Sequence, residues 1–229
     1  MRDKITVIGS LNYDVILKIA RLPEMGETFH ADDVAFSAGG KGANQAVQAA
    51  KLGVPTYMIG CVGKDPNGEI LISEAKKYGV NTDRIRRVEE PTGMGVVNAL
   101  QDGSVFAVIV KGANYAVTRE DIDHAEDLLK ESAIVILQME IPQEINMYAI
   151  DKAKEAGCKV LLNAAPAAEI PEAYLKKVDI LVVNEVEAAF YLHAEVDTVE
   201  KAKENALKMS TELGNACIFT LGKEGSVVA

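Results

Sequence analysis

The sequence predicts an α/β fold in three layers, with a mostly parallel sheet, helices on both faces and a small β-sheet lid. Two observations carry this prediction. Short apolar runs alternate with amphipathic stretches of helical period, which is the pattern of a parallel sheet built from strand-helix units. Two further stretches, 14–38 and 92–111, lack helical period and are rich in β-favouring residues, which indicates strands outside that alternation.

The buried strands are predicted at short apolar runs that turn residues interrupt. These runs cover residues 5–9, 56–62, 134–139, 159–162, 180–183 and 216–221. Helices are predicted between them, at 43–52, 69–78, 119–130, 143–156 and 199–213. A glycine just past the end of four helices favours a left-handed cap there, at Gly53, Gly79, Gly157 and Gly214.

The lid is predicted as antiparallel strands that cover one edge of the main sheet. Its β-favouring runs lie at 15–19, 34–36, 96–100 and 105–110, and Asp102-Gly103 is a turn signal between the last two. We find no repeat or linker, so residues 1–229 are interpreted as one α/β domain with a discontinuous lid.

Composition limits the partners. The chain has 229 residues, of which 48% are hydrophobic, and a net charge of -10. Such a surface repels nucleic acid and anionic membranes, which argues against both as partners. No apolar run reaches the length of a membrane span or resembles a signal peptide, so the expected location is the cytoplasm. The three cysteines are scattered in apolar segments and are expected to be buried free thiols.

Polar residues follow most of the predicted strands. They are Asn12 and Asp14, Glu140, Asn163, Asn184 and Thr220. Any one of them could be an ordinary turn or helix-cap residue. In open parallel sheets, however, ligands bind beyond the carboxyl ends of the strands. Because these residues are expected at that one edge, the pattern predicts a ligand site.

The strongest local signal is the glycine cluster 39–46, GGKGANQA, which leads into a predicted helix. Glycines allow a ligand close to the backbone, and the helix start offers unpaired N–H groups, with Lys41 and Asn44 as further donors. The spacing matches neither the P-loop nor the dinucleotide-binding motif. A tight structural turn remains the alternative. Asp14 has the chemistry for a polyol, since a carboxylate can accept from two neighbouring hydroxyls.

Ten short motifs occur in order along the whole chain. They are GSLNYD (9–14), GGKGANQA (39–46), LG (52–53), VGKD (62–65) with Gly68, PTG (91–93), GAN (112–114), QMEIP (138–142), NAAPA (163–167), NEVEA (184–188) and TLGKEG (220–225). Together they resemble the PfkB carbohydrate kinase family, and within it the ribokinases. The resemblance implies a Rossmann-like, ribokinase-like fold and an ATP-dependent phosphotransferase with an alcohol group as acceptor.

The implied reaction is phosphorylation of D-ribose at its 5-hydroxyl to ribose 5-phosphate. Two alternatives stay open: a related kinase that acts on another sugar or on a nucleoside, and a sugar-binding protein without catalytic activity. The resemblance also implies ATP with Mg²⁺, a monovalent cation such as K⁺, and a homodimer that forms through the lid.

The resemblance assigns site residues position by position. The sugar contacts are Asn12, Asp14, Gly40, Lys41, Gly42, Asn44 and Glu140. Asn184 is similar to the phosphate-contacting asparagine of the family, and Glu187 to the acidic residue that organises Mg²⁺ through water. The nucleotide loop is Thr220, Leu221, Gly222, Lys223, Glu224 and Gly225.

The sequence also departs from the family pattern. Ala164 follows Asn163 where proline is usual, and the lid lacks the usual asparagine after its turn glycine. The resemblance therefore leaves the identity of the sugar open. The family's Gly-Ala-Gly-Asp segment, which supplies the anion hole and the general base, is expected downstream of Ala229, with the adenine-site and cation-site residues. We therefore expect a truncated, inactive chain in which 222–229 is half of a hairpin without its partner strand.

Overall fold

The structure is a computed structural model that describes residues 2–229. Its strands are β1 (Lys4–Ile8), β2 (Asn12–Ile19), β3 (Asp33–Gly39), β4 (Thr56–Gly63), β5 (Val80–Val88), β6 (Gly93–Leu100), β7 (Val105–Val110), β8 (Ser132–Gln138), β9 (Lys159–Asn163), β10 (Ile180–Asn184), β11 (Ala216–Thr220) and β12 (Ser226–Val228). Its helices are α1 (Lys41–Lys51), α2 (Pro66–Lys77), α3 (Arg119–Asp123), α4 (Glu126–Glu131), α5 (Gln143–Glu155), α6 (Glu172–Leu175), α7 (Glu185–Leu192) and α8 (Val199–Leu213).

The main sheet confirms the predicted fold class. Its eight strands lie in the order β12-β11-β10-β9-β8-β1-β4-β5, and every neighbouring pair except β11-β12 is parallel. Two clusters of buried apolar residues form the core. The larger includes Leu137, Leu162 and Leu181, and the smaller includes Val7 and Met58 between β1, β4 and the first two helices.

The helix boundaries follow the local signals closely. The predicted helix 199–213 is observed with those bounds, because the Thr198 side chain accepts from the Lys201 N–H at its start and Gly214 takes φ 72° at its end. The predicted helix 119–130 is wrong in one respect, since it divides into α3 and α4. The chain tightens at Ala125, whose N–H bonds to Ile122 O three residues back, and both side chains are fully buried.

The sequence pattern does not predict β5, which is a strand of the main sheet. This strand lies at the edge, and its charged residues face solvent while Val80, Ile85 and Val88 are buried. The charges hide the apolar alternation. Within the segment 222–229, β12 pairs antiparallel with β11 and lies at the other edge of the main sheet.

The lid is a four-stranded sheet in the order β3-β2-β6-β7. The prediction that its strands are all antiparallel is wrong, since β2 and β6 pair in parallel from Asn12↔Gly93 to Ile19↔Leu100. The reason is topological: β2 follows β1 and β6 follows β5, so both leave the same carboxyl edge of the main sheet in the same direction. No helix among residues 2–229 has the length and apolar character to cross a membrane.

Candidate functional site

The polar residues predicted at the strand ends do meet along one edge. The strands β1, β8, β9, β10 and β11 are neighbours, so their carboxyl ends lie side by side. The register pairs Gln138 with Asn163 across β8-β9, and Asn184 with Thr220 across β10-β11. Glu140 lies two residues beyond β8, on this same edge. The lid strand β2 begins here as well.

The carboxylate of Asp14 lies between two glycines of neighbouring lid strands. Asp14 pairs with Gly95 of β6, and Gly39 lies in β3 on its other side. A Cβ built at either glycine would come closer than 3.0 Å to an oxygen of this carboxylate. Burial, and then the negative charge of Glu140, raise the pKa of Asp14, although a hydrogen bond from the Gly95 backbone lowers it. The lid therefore holds a half-buried carboxylate at its base.

Gly40 allows α1 to start against the turn between β1 and β2. Its φ of 89° lies in the left-handed region, and a Cβ there would be 2.7 Å from Asn12 N and 2.9 Å from Leu11 Cα. The next residue, Lys41, begins the helix. The predicted glycine cluster is therefore a close approach of two backbone segments, which brings Lys41 and Asn44 to the edge where Asn12 lies.

Glu140 fixes this helix start. Its Oε2 accepts from the Lys41 N–H at 3.1 Å and from the Ser10 hydroxyl, and Ser10 Oγ accepts from the Gly42 N–H at 3.3 Å. Unpaired N–H groups of the first helical turn are thus satisfied. The other carboxylate oxygen, Oε1, has no hydrogen-bond partner within the described chain. Sequence reasoning missed Ser10, whose position between β1 and Asn12 was the available signal.

Asn184 and Glu187 form a reciprocal capping box at the start of α7. The Asn184 side chain accepts from the Glu187 N–H, and Glu187 Oε2 accepts from the Asn184 N–H, both at 2.8 Å. Glu187 is 7% exposed. Burial raises its pKa, while the charge of Lys41 acts in the opposite direction. Lys41 therefore lies near both groups of predicted site residues.

The predicted nucleotide loop is an open turn beside Asn184. It runs from the end of β11 through a short 3₁₀ turn at Gly222–Glu224 into β12. Gly222 and Gly225 have φ of 52° and 94°, so glycine suits both positions. All of its residues except Leu221 are exposed.

The residues present fit a phosphate-bound Mg²⁺ rather than a metal held by protein alone. Within residues 2–229, no group of three or more His, Cys, Asp or Glu side chains gathers as a metal site. Mg²⁺ in nucleotide sites needs one or two carboxylates besides the phosphates. Glu187 has one carboxylate oxygen, Oε1, that makes no hydrogen bond among the described residues.

Comparison with known proteins gives one family across the chain. A family model described as "pfkB family carbohydrate kinase" matches residues 2–229. A deoxyribokinase of Salmonella typhi is 37% identical over 228 residues, which cover 97% of this chain and 74% of that protein. A ribokinase of Staphylococcus aureus is 32% identical, with 100% of this chain and 76% of the relative covered.

Solved structures agree with the sequence comparison. The structure of Arabidopsis thaliana ribokinase complexed with ribose and ATP superposes with a TM-score of 0.88 at 36% identity, covering 100% of this chain and 75% of that one. Ribokinase from Thermotoga maritima superposes with a TM-score of 0.84 at 34% identity, over 98% of this chain and 74% of that one. The chain thus spans about three quarters of the length of these relatives.

Proposed function

The chain belongs to the pfkB family of carbohydrate kinases, and we propose that it transfers the γ-phosphoryl group of ATP to the 5-hydroxyl of a pentose, D-ribose first. The observation that carries the proposal is the Asp14 carboxylate held between Gly39 and Gly95 beside Glu140. The relatives named as ribokinases support ribose as the substrate.

The sugar side is formed by the lid base and the start of α1. Asp14 accepts hydrogen bonds from two sugar hydroxyls, and each bond to a charged group contributes about 1.5–3 kcal/mol. The free Oε1 of Glu140 accepts from a further hydroxyl, while Asn12, Lys41 and Asn44 donate. Gly40 and Gly42 belong to the proposed sugar site through their backbone, because a Cβ at either one would meet backbone atoms of residues 9–12.

The phosphate side is formed by α7 and the loop after β11. Asn184 lies at the N-terminus of α7, where helix-end N–H groups favour anions. The loop Thr220–Gly225 borders the nucleotide. When bound with ATP, Mg²⁺ would neutralise charge on the transferred phosphoryl group. Glu187 would orient the water shell of that ion, and Lys41 lies between the sugar and phosphate sides.

These residues act by positioning and by stabilising charge as it develops in phosphoryl transfer. Asp14 and Glu140 hold the sugar so that its 5-hydroxyl faces the γ-phosphorus in line. The proposal assigns no general base within residues 2–229, because Asp14 and Glu140 are assigned to the sugar and Glu187 to the metal. K⁺ dependence remains part of the family expectation.

A second candidate substrate is 2-deoxy-D-ribose, since the 37% identical Salmonella typhi relative is named a deoxyribokinase. The test is a kinase assay with MgATP and, in turn, D-ribose, 2-deoxy-D-ribose, D-fructose and adenosine, with the phosphorylated product identified by mass spectrometry. The proposal expects pentose 5-phosphate as the main product. Preference for fructose or adenosine contradicts the proposal. Pentose binding without transfer contradicts transfer by residues 1–229 themselves and agrees with the expectation that this chain alone is inactive.

We also propose that the lid forms a homodimer and that the protein acts in the cytoplasm, where ATP is available. The exposed side chains of β7 support the dimer, with Val105 63%, Phe106 51% and Val108 50% exposed. Apolar strands exposed at a sheet edge are typical of interfaces. Light scattering should give twice the chain mass for the wild type and the chain mass for Phe106→Lys. A wild-type monomer contradicts the dimer.

A further inference from the structure

A buried pair of asparagines lies at the base of the lid, next to the proposed sugar site. Asn12 is 2% exposed and Asn114 is 1% exposed. Asn12 begins β2, and Asn114 lies in the 3₁₀ turn that follows β7. Gly93, the first residue of β6, pairs with Asn12, and a Cβ at Gly93 would come closer than 3.0 Å to both amides. The glycine therefore leaves the space that the two amides fill.

The backbone fixes the direction of both amides. The Leu11 N–H can only donate, and it donates to Asn114 Oδ1 at 2.9 Å. The Asn114 nitrogen must therefore point the other way, and Nδ2 donates to Asn12 Oδ1 at 2.7 Å. An amide nitrogen does not accept, so turning Asn12 over would lose this bond.

The amide nitrogen of Asn12 is left without a partner by this arrangement. Within residues 2–229, Asn12 Nδ2 donates no hydrogen bond. The fully buried side-chain atoms without a partner are Gln138 Oε1 and Asn146 Oδ1, so Asn12 Nδ2 is not one of them. Asn12 and Asp14 are two residues apart in β2, so their side chains lie on the same face of the strand. A donor and an acceptor are thus placed side by side.

We propose that Asn114 is a positioning residue, which turns the amide nitrogen of Asn12 toward the sugar and so makes the Asn12 contact a donor. This inference rests on the proposed function. A hydroxyl can accept from Asn12 and donate to Asp14 at the same time, because it has one hydrogen and two lone pairs. Ether and carbonyl oxygens, which only accept, cannot satisfy Asp14. The pair therefore selects free hydroxyls at this part of the site.

The test is a double-mutant cycle read by ribose titration calorimetry. Asn114→Asp keeps an acceptor for the Leu11 N–H but removes the donor, so Asn12 must turn its nitrogen inward and offer its oxygen to the sugar. We expect ribose affinity to fall about tenfold or more, since a polar contact is left unsatisfied. In the Asn12→Ala background the same substitution should cause no further loss, because Asn114 acts through Asn12.

The matched control is Asn81→Asp near the start of β5, at the edge of the main sheet formed by the amino ends of the parallel strands. It adds the same charge and should leave ribose affinity unchanged. No loss from Asn114→Asp, or an equal loss in both backgrounds, overturns the inference and leaves the proposed function intact. A wild-type protein that binds no pentose overturns the proposed function, and the inference with it.

A second measurement does not require the Asn114 variant to fold. The side-chain amide signals of Asn12 in the ¹H–¹⁵N spectrum can be assigned by their loss in Asn12→Ala. In the wild type, ribose should shift these signals and leave the Asn114 amide signals nearly unchanged, because the Asn114 donor is already occupied. Asn12 amide signals that ribose does not move would overturn the inference.

Discussion

The carboxylate of Asp14 approaches the backbone of Gly95 so closely that a Cβ at position 95 would overlap its Oδ1. The two residues pair across β2 and β6, the parallel pair of the lid. A glycine inside a strand weakens the strand, and it often marks a position where another group must approach the backbone closely. The pairing of β2 with β6 therefore sets the position of the carboxylate that we propose to bind the sugar.

Gly95→Ala should therefore weaken ribose binding more than it weakens the fold. The atom that must move is the end of a side chain rather than backbone, so the protein can stay folded while the carboxylate leaves its position. We expect a loss of affinity of about tenfold or more, equivalent to losing one charge-assisted hydrogen bond, measured by calorimetry. Gly26→Ala is the control: its φ of 84° strains an alanine and should cost stability, but a Cβ there meets no atom within 4 Å, so ribose affinity should stay unchanged. Equal affinity for wild type and Gly95→Ala would contradict the assignment.

Ribose affinity should decline on acidification at a higher pH than an exposed aspartate would give. Burial and the charge of Glu140 raise the pKa of Asp14, and the protonated acid no longer accepts two hydroxyls as a carboxylate does. Glu140→Gln should move the midpoint of the profile to lower pH, because it removes the second cause. A midpoint that does not respond to Glu140→Gln would show that another group controls the profile.

The raised pKa of Asp14 also predicts that its carboxylate lowers the stability of the fold, although the same carboxylate favours sugar binding. Because the pKa of Asp14 is raised in the folded protein, its ionised form opposes folding at neutral pH, and this cost disappears as the pH falls through the raised pKa. Asp14→Asn should therefore melt at the same or a higher temperature than the wild type at pH 7, as measured by circular dichroism. A clear drop in the melting temperature would contradict this.

The capping box at α7 allows structural and catalytic effects to be separated. Glu187→Gln keeps an acceptor for the Asn184 N–H but removes the charge, so kcat should fall with little change in melting temperature or in ribose KM. The control is Thr118→Ala in the capping box of α3, a residue with no assigned role in the site. It should cost about 0.5–2 kcal/mol of stability and leave kcat unchanged. If Glu187→Gln changes only the KM for ribose, the assignment of Glu187 to the phosphate side is contradicted.

Much of the fold could be predicted because most buried strands are short apolar runs and each of the four long helices is followed within two residues by a glycine. β5 could not, since its solvent-facing charges mask its buried face. The parallel pairing of β2 with β6 depends on contacts between segments about 80 residues apart, which local patterns do not encode.

Residues of the proposed site can be selected from the sequence where a residue carries its own chemistry, as with Asp14 and Glu140. They cannot be selected where a residue acts through a neighbour. Ser10 and Asn114 look like ordinary turn residues, and their roles arise from hydrogen bonds to Glu140 and Asn12 across more than 100 positions of sequence. Sequence alone therefore identifies the proposed ligand-binding groups more readily than the groups that hold them in place.

The central claim is that Asp14 binds the sugar, and ribose titration of Asp14→Ala measures it most directly. Asp33→Ala is the matched control, because Asp33 lies in the neighbouring strand and pairs with exposed Lys18. The account predicts that Asp14→Ala loses more than about tenfold in affinity, the equivalent of at least 1.5 kcal/mol, while Asp33→Ala binds as the wild type does. Wild-type affinity in Asp14→Ala would contradict the account.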